Sequence, residues 1–395
     1  MALFAIAGAA LLIVQMVTHM PVPVKPHEII DLSSGDAVSR EVMSQSLARH
    51  RVVLVGEQHD DPGQHLVQLR VIQSLHESGA KVAVGMEQFP RDLQPVLSRW
   101  SEGHMSEEAF LDATQWYNIW GMDAELYLPI LRYLRDHKIP LLGINVRRST
   151  ISQVRKQGLA NLHADLKAKL PTPAPAPADY RMKLEGIFDG HLSRMGMGGK
   201  TENFIEAQRM WDAVMADGLH RWLMENPDGI AIGLAGTGHV EHGHGIAHQL
   251  KARGVNDVAM VIPWSEENEW IEQEMGDYAW GTPTKPVTMP KVKLGIYLDD
   301  GGDVPIGSVN IVKVMHGSVA LKMGLQKDDR ILALNGELTR NNHQLIRLLR
   351  NSRWGDEIEL RVKRDGKSQT IRYTLPDTPP KSPHHGAHHP KVHKK

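Results

Sequence analysis

The sequence predicts an α/β domain with a parallel sheet flanked by helices and carrying an inserted helical subdomain, followed by a second, strand-rich module. Three observations predict it. Short apolar runs recur along the first 265 residues. Amphipathic helical patterns alternate with them. A Pro-rich break containing Pro283, Pro286 and Pro290 then separates this pattern from a different one. Apolar runs at 51–56, 81–86, 140–144, 230–235 and 258–262 lack strict alternation, which suits strands covered on both faces and therefore parallel. Strand–helix alternation then means a βαβ sheet.

Asp61-Pro62 opens the first crossover helix with an N-cap residue and a proline at the first helical position. Leu66, Leu69, Val71, Ile72 and Leu75 supply its apolar face, and Gly79 ends it. Roughly 85 residues separate the third and fourth runs, too many for one crossover. They include the stiff 171–177 segment, Pro-Thr-Pro-Ala-Pro-Ala-Pro. The expectation is a helical insertion over about 147–218, of the kind that covers a binding site. Residues 277–280 are expected as a last edge strand of a domain covering 27–283.

Lys plus Arg number 45 against 46 Asp plus Glu. A net charge of −1 gives no bulk electrostatic reason for binding nucleic acid or anionic lipid, so no nucleic-acid partner is expected. The absence of cysteine excludes disulfides, thiolate metal sites, a Cys nucleophile, covalent c-type haem and an acylated cysteine anchor. Residues 1–24 carry no Lys, Arg, Asp or Glu, and 2–14 are continuously apolar. Residues 1–26 therefore read as an uncleaved anchor or variant signal, with a buried helix as the plainer alternative. On the first reading the chain is periplasmic and attached to the membrane by its N-terminus. At the other end, the 378–395 tail holds His384, His385, His388, His389 and His393. These could capture a transition metal or haem; a solvated tail is the plainer reading.

Chemistry in a parallel sheet sits at the carboxyl ends of the strands. Those ends lead here into Glu57 and His59, into Glu87, into Asn145 and Arg147, and into Gly236 to His239. Two histidines and two glutamates should meet on one sheet edge. Together they could ligate a divalent metal or relay protons between groups of different pKa. Singly, each is as readily an ion-pair or hydrogen-bonding partner. His244 and His248, four apart, share a helix face if a helix starts there. No H-E-x-x-H, Walker loop, G-x-S-x-G or post-strand G-x-G-x-x-G is present, which leaves serine hydrolysis and nucleotide binding unsupported.

The stretch 53–62, Val-Leu-Val-Gly-Glu-Gln-His-Asp-Asp-Pro, with Gln64, His65 and Gln68 after it, resembles the opening signature of the ChaN-like haem-binding family. So do 85–91 (Gly-Met-Glu-Gln-Phe-Pro-Arg), Trp120-Gly121 with Tyr127 and Pro129, Ala207-Gln208 with Trp211-Asp212 and Met215-Ala216, and 236–240 (Gly-Thr-Gly-His-Val). The resemblance implies haem binding outside the cytoplasm, linked to iron acquisition, with haems held between paired subunits and hence a homodimer. It also implies ligation by a tyrosine with a histidine nearby. Tyr180 and His191, in the helical insertion beside the Met-rich 194–199 run, are the candidates for that cofactor site; ordinary helix-surface residues are the alternative. Two departures stand out: no cysteine to acylate, and a second module outside the basic family plan.

The wider Tiki, TraB and erythromycin esterase-like superfamily implies a rival reading. Gly56 to His59 and Gly236 to His239 both fit its Gly-x-x-His motif. On this view His59 and His239 bind a divalent metal, Glu57 or Glu87 completes the shell or activates water, and the protein is a hydrolase or peptidase.

Residues 291–377 resemble a bacterial PDZ domain, a small β-barrel-like fold. Lys293-Leu294-Gly295-Ile296 is similar to its carboxylate-binding loop, 314–320 and 323–331 to its body, and Gln344, Leu345 and Leu348 to its groove helix. The resemblance implies capture of a protein C-terminus as an added strand, with Leu294, Gly295, Ile296 and Leu345 as the peptide-binding residues and Leu298 beside them.

Overall fold

The structure is a computed structural model that describes residues 21–192, 200–299 and 309–380, with 191 and 192 described by backbone alone. Residues 1–20 of the expected anchor and the tail histidines lie outside the described residues; Val22–Pro23, at the end of that expected segment, pairs antiparallel with Trp270–Ile271. Among those described, no helix is long and apolar enough to cross a membrane. The described chain forms two compact units. The first runs to Thr114 and resumes from Ile119 to Lys285; the second comprises Gln115–Asn118 and the residues from Pro286 onward.

The first unit is built on an eight-stranded sheet. Its strands are β1 (Ile29–Asp31), β2 (Asp36–Ala37), β3 (Val52–Val55), β4 (Val82–Pro90), β5 (Leu141–Asn145), β6 (Ile230–Leu234), β7 (Val258–Ser265) and β8 (Tyr278–Thr282). Their spatial order is β2-β1-β8-β7-β3-β6-β4-β5. From β8 through β5 all neighbours are parallel. The five apolar runs become β3 to β7, with every residue of β3, β4 and β6 buried. Apolar side chains on both faces are what helices packed on both sides require.

Residues 277–280 correct one expectation. Their strand, β8, lies inside the sheet, because β1 pairs with it antiparallel (Ile30 opposite Ala279) and β2 completes a hairpin. Asp61 caps the Pro62–Glu77 helix by accepting from the Gly63 and Gln64 amides at 2.8 and 3.3 Å. The helix that carries His248 starts only at Ile246, so His244 lies ahead of it and does not share its face with His248.

The 25-residue helix Thr201–Glu225 serves three core clusters. Its later turns place Met215, Ala216, Leu219 and Leu223 against Val52, Leu54 and Ile144 of the sheet. Its earlier turns pack Phe204 and Ile205 with Tyr180 and Leu184 of the Ala178–Ile187 helix, and Ala207 and Met210 with Ile151 and Val154 of the Arg148–Gln157 helix. The 171–177 segment is strapped down. Ala174 donates to Gln249 Oε1 at 2.8 Å, and its carbonyl accepts from Arg209 Nε at 3.0 Å.

The second unit is an antiparallel sheet in the order Ile296–Leu298, Val309–Val314, Arg330–Leu334, Glu357–Arg364, Lys367–Thr374. Its core includes Val309, Ile331, Leu345, Leu348 and Leu360. The Asn342–Asn351 helix is capped by Asn341, whose side chain accepts from Gln344 N at 2.9 Å.

Candidate functional site

Strand register assembles the site. Val55 of β3 and Met86 of β4 both stand level with Leu234 of the intervening β6. The residues just past these levels are Glu57 and His59, Glu87, and the Gly236–His239 turn, so three adjacent strands deliver them to one edge. The fit is close. A Cβ on Gly236 would lie 3.0 Å from His59 Cε1 and 3.6 Å from Glu87 Oε2, which is why the turn carries glycine. The Gly236 amide donates to Glu87 Oε2 at 2.7 Å. Asn145 ties β5 to the same place through its Nδ2 and the Glu87 carbonyl, 2.7 Å apart.

Glu57 is buried and surrounded by donors. Its Oε1 accepts from His59 Nδ1 at 2.7 Å, Tyr127 OH at 2.8 Å and Gln88 Nε2 at 3.0 Å. Its Oε2 accepts from Gln68 Nε2 at 2.9 Å, and His65 Nε2 stands 3.3 Å away. Burial pushes this carboxyl up, but the His59 hydrogen bond and the neighbouring His65 imidazole outweigh it and bring its pKa down to about 2. An ionised Glu57 can only accept, so His59 Nδ1 carries the proton and Nε2 is the atom that faces chemistry. Burial pulls the His59 imidazole down, yet the Glu57 and Glu87 carboxylates leave it raised. Its side chain is about one-third exposed, with Trp120 edge-on at 4.7 Å between ring centroids.

His239 repeats the design. Its Nδ1 lies 2.6 Å from Oδ1 of the buried Asp212, and its Nε2 lies 3.8 Å from Glu87 Oε1. Burial lowers this imidazole, but the Asp212 carboxylate prevails and lifts its pKa to about 9. His239 is therefore an imidazolium at neutral pH. Tyr180 donates from its hydroxyl to the other Asp212 oxygen at 2.8 Å. Burial and the Asp212 charge hold the Tyr180 proton far above the usual phenol range. Tyr180 thus sits against the sheet-edge cluster as a buried donor, 6.0 Å ring to ring from His244. The side chain of His191 is not among those described.

The structure brings Glu57, His59, Glu87 and His239 together. Among the described residues no group of three or more His, Asp or Glu side chains is arranged to hold a metal ion. Both imidazoles give Nδ1 to a carboxylate, an arrangement that orients the opposite nitrogen toward a ligand. Sequence reasoning missed the inner layer of His65, Gln68, Gln88, Tyr127 and Asp212. All five stand in the motifs quoted above, and a buried acid amid Met210, Ala213 and Val214 on a helix was the available signal for Asp212.

In the second unit Leu294 and Leu345 are core residues, while Ile296 and Leu298 are half-buried against that core. Gly295 has a φ of +77°, and a Cβ there would stand 2.5 Å from Ser318 Cβ. The Ile296–Leu298 strand ends the sheet.

A family model described as haem-binding uptake, Tiki superfamily, ChaN, matches residues 43–250. The chain belongs to this family. All the residues of the sheet-edge cluster, and Tyr180, fall inside the match. A PDZ model matches residues 292–375. The solved structure titled cofacial heme binding to ChaN of Campylobacter jejuni is 18% identical with a TM-score of 0.51; the match covers 65% of this chain and 98% of that one. At that identity the likeness shows the ChaN fold. RETICULATA-RELATED 5, a chloroplastic protein of Arabidopsis thaliana, is 22% identical over 266 residues. The match covers 61% of this chain, and the chain spans 35% of that relative's length. A mutant erythromycin esterase, EreC, aligns at 13% identity over 62% of this chain and 77% of its own, with a TM-score of 0.37, too low to carry argument.

Proposed function

We propose that this protein binds haem through its α/β domain and uses its PDZ module to recruit a partner by its C-terminus. The observation that carries the haem reading is the family match over residues 43–250, which encloses the whole sheet-edge cluster. The donor set fits. His59 and His239 each have Nδ1 fixed by a buried carboxylate, which orients Nε2 toward a ligand; His239, an imidazolium at neutral pH, would have to give up its Nε2 proton to ligate iron. Bound haem would supply iron-centred chemistry. Tyr180 serves in this arrangement as a donor to Asp212, and would have to give up that proton to ligate iron. We read the apolar start as a membrane attachment, the chain as exported for haem or iron handling, and the family's pairing as a homodimer. The PDZ reading is supported by Gly295, whose left-handed backbone shapes the loop before the terminal strand.

The test is titration of ferric haem into the full chain, read by absorbance. A saturable Soret shift is expected, and it should survive replacement of the five tail histidines by alanine. Weakening in His59→Ala but not in Tyr180→Phe would assign the ligand to the sheet edge; the reverse would assign it to the helical insertion with His191. A spectrum of free haem at every ratio would end the reading.

A further inference from the structure

A second site lies at the opposite, amino-terminal edge of the same sheet. There a cavity of about 390 Å³ is lined by Arg51, His220 and Arg253, with Leu223 and Met224 on its apolar wall. Its volume is in the range of small-molecule pockets, about 300–1,000 Å³. Arg51 stands just before β3, and its amide bonds the Asp257 carbonyl just before β7. Pro227, also on the lining, stands before β6, so the cavity sits at the heads of β3, β6 and β7, and β3 and β6 are the strands that lead to His59 and His239 at their other ends.

The charges here are unbalanced. Neither Arg51 nor Arg253 forms an ion pair among the described residues. Arg51 donates to the Pro227 and Asn226 carbonyls, and its Nε is buried with no hydrogen-bond partner. Arg253 gives one bond, 2.9 Å, to the Gln249 carbonyl. Burial holds the Arg253 guanidinium below its usual range against the opposing pull of Asp217. The acid on the lining, Asp257, faces His50 at 3.9 Å. Guanidinium groups drawn partly out of water need a counter-charge, and their planar fork matches a carboxylate.

We propose that this cavity binds a small organic anion, its carboxylate head on Arg51 and Arg253 and its apolar body on Leu223 and Met224. The assignment is independent of the haem reading, since the two sites share no residue.

Hexanoate is the probe, titrated into the full chain by calorimetry, with hexanamide as the uncharged control. Saturable binding of hexanoate is expected, at least about tenfold tighter than hexanamide, as a charge-assisted bond requires. Arg253→Gln should weaken it about tenfold or more. Met224→Glu should do the same by placing a negative charge on the wall, and because Met224 is 71% exposed this variant leaves the core untouched. Unchanged melting temperatures would show that both variants remain folded. Equal binding of hexanoate and hexanamide, no binding of either, or full hexanoate affinity in Met224→Glu would each overturn the assignment.

Discussion

Glu57 shows how one buried charge organises its neighbours. His59, Tyr127, Gln68 and Gln88 all turn donors toward it, and the Oε1 atoms of both glutamines are left buried without partners. Glu57→Gln keeps the shape and removes the charge, so four donors converge on one amide. It should cost about 2–4 kcal/mol, read as a lower denaturant midpoint at unchanged m-value. Its folded pKa of about 2 lies below the ordinary 4.5, so its contribution is full above 4.5 and fades as pH falls through about 2. The acid limb of wild-type stability should therefore be steeper than that of Glu57→Gln. His239 has the opposite sign. Its folded pKa of about 9 exceeds 6.5, so its contribution is full below 6.5 and is lost as pH rises through 9. Asp212→Asn should flatten stability across that alkaline window; a slope equal to wild type would show that Asp212 does not hold the His239 proton.

The turns that carry these residues are as constrained as the side chains. A Cβ on Gly245 would stand 2.4 Å from the His239 carbonyl oxygen and 2.9 Å from Asp212 Oδ1, with backbone that cannot swing aside. Gly245→Ala should cost about 1–3 kcal/mol, whereas Gly238→Ala, with nothing within 4 Å of its Cβ, should stay within about 0.5 kcal/mol. Thermal melts of the two variants check this, and equal losses would show that crowding at Gly245 is not the constraint. At this scale the sequence was legible where burial on both faces makes strands continuous apolar runs, as in β3 to β7. It was not legible at β1. Ile29 and Ile30 are too short a signal, and their pairing with β8 is set by residues some 250 positions away. The convergence of Glu57, His59, Glu87 and His239 was readable because each follows a strand. Asp212 was not, because a helix residue announces its face but not the imidazole that face will meet.

At the scale of the molecule, the chain joins a ChaN-family domain to a PDZ domain, and each brings its own ligand chemistry. If the PDZ recruits a partner while the α/β domain holds haem, the two activities should be separable by mutation. Gly295 is the place to cut the first. Its φ of +77° disfavours any side chain, and the 2.5 Å approach to Ser318 leaves no room for one, so Gly295→Val must deform the loop that would receive a terminal carboxylate. The probe is a labelled peptide ending in valine, against the same peptide with an amidated C-terminus. Wild type should bind the free acid and not the amide, which tests carboxylate capture without any variant. Gly295→Val should lose the free acid and keep the wild-type haem titration; His59→Ala should keep the peptide and alter the haem spectrum. Equal affinity for acid and amide would show that the module does not read C-termini. Loss of haem binding in Gly295→Val would show that the PDZ is part of the haem site rather than a recruiter beside it.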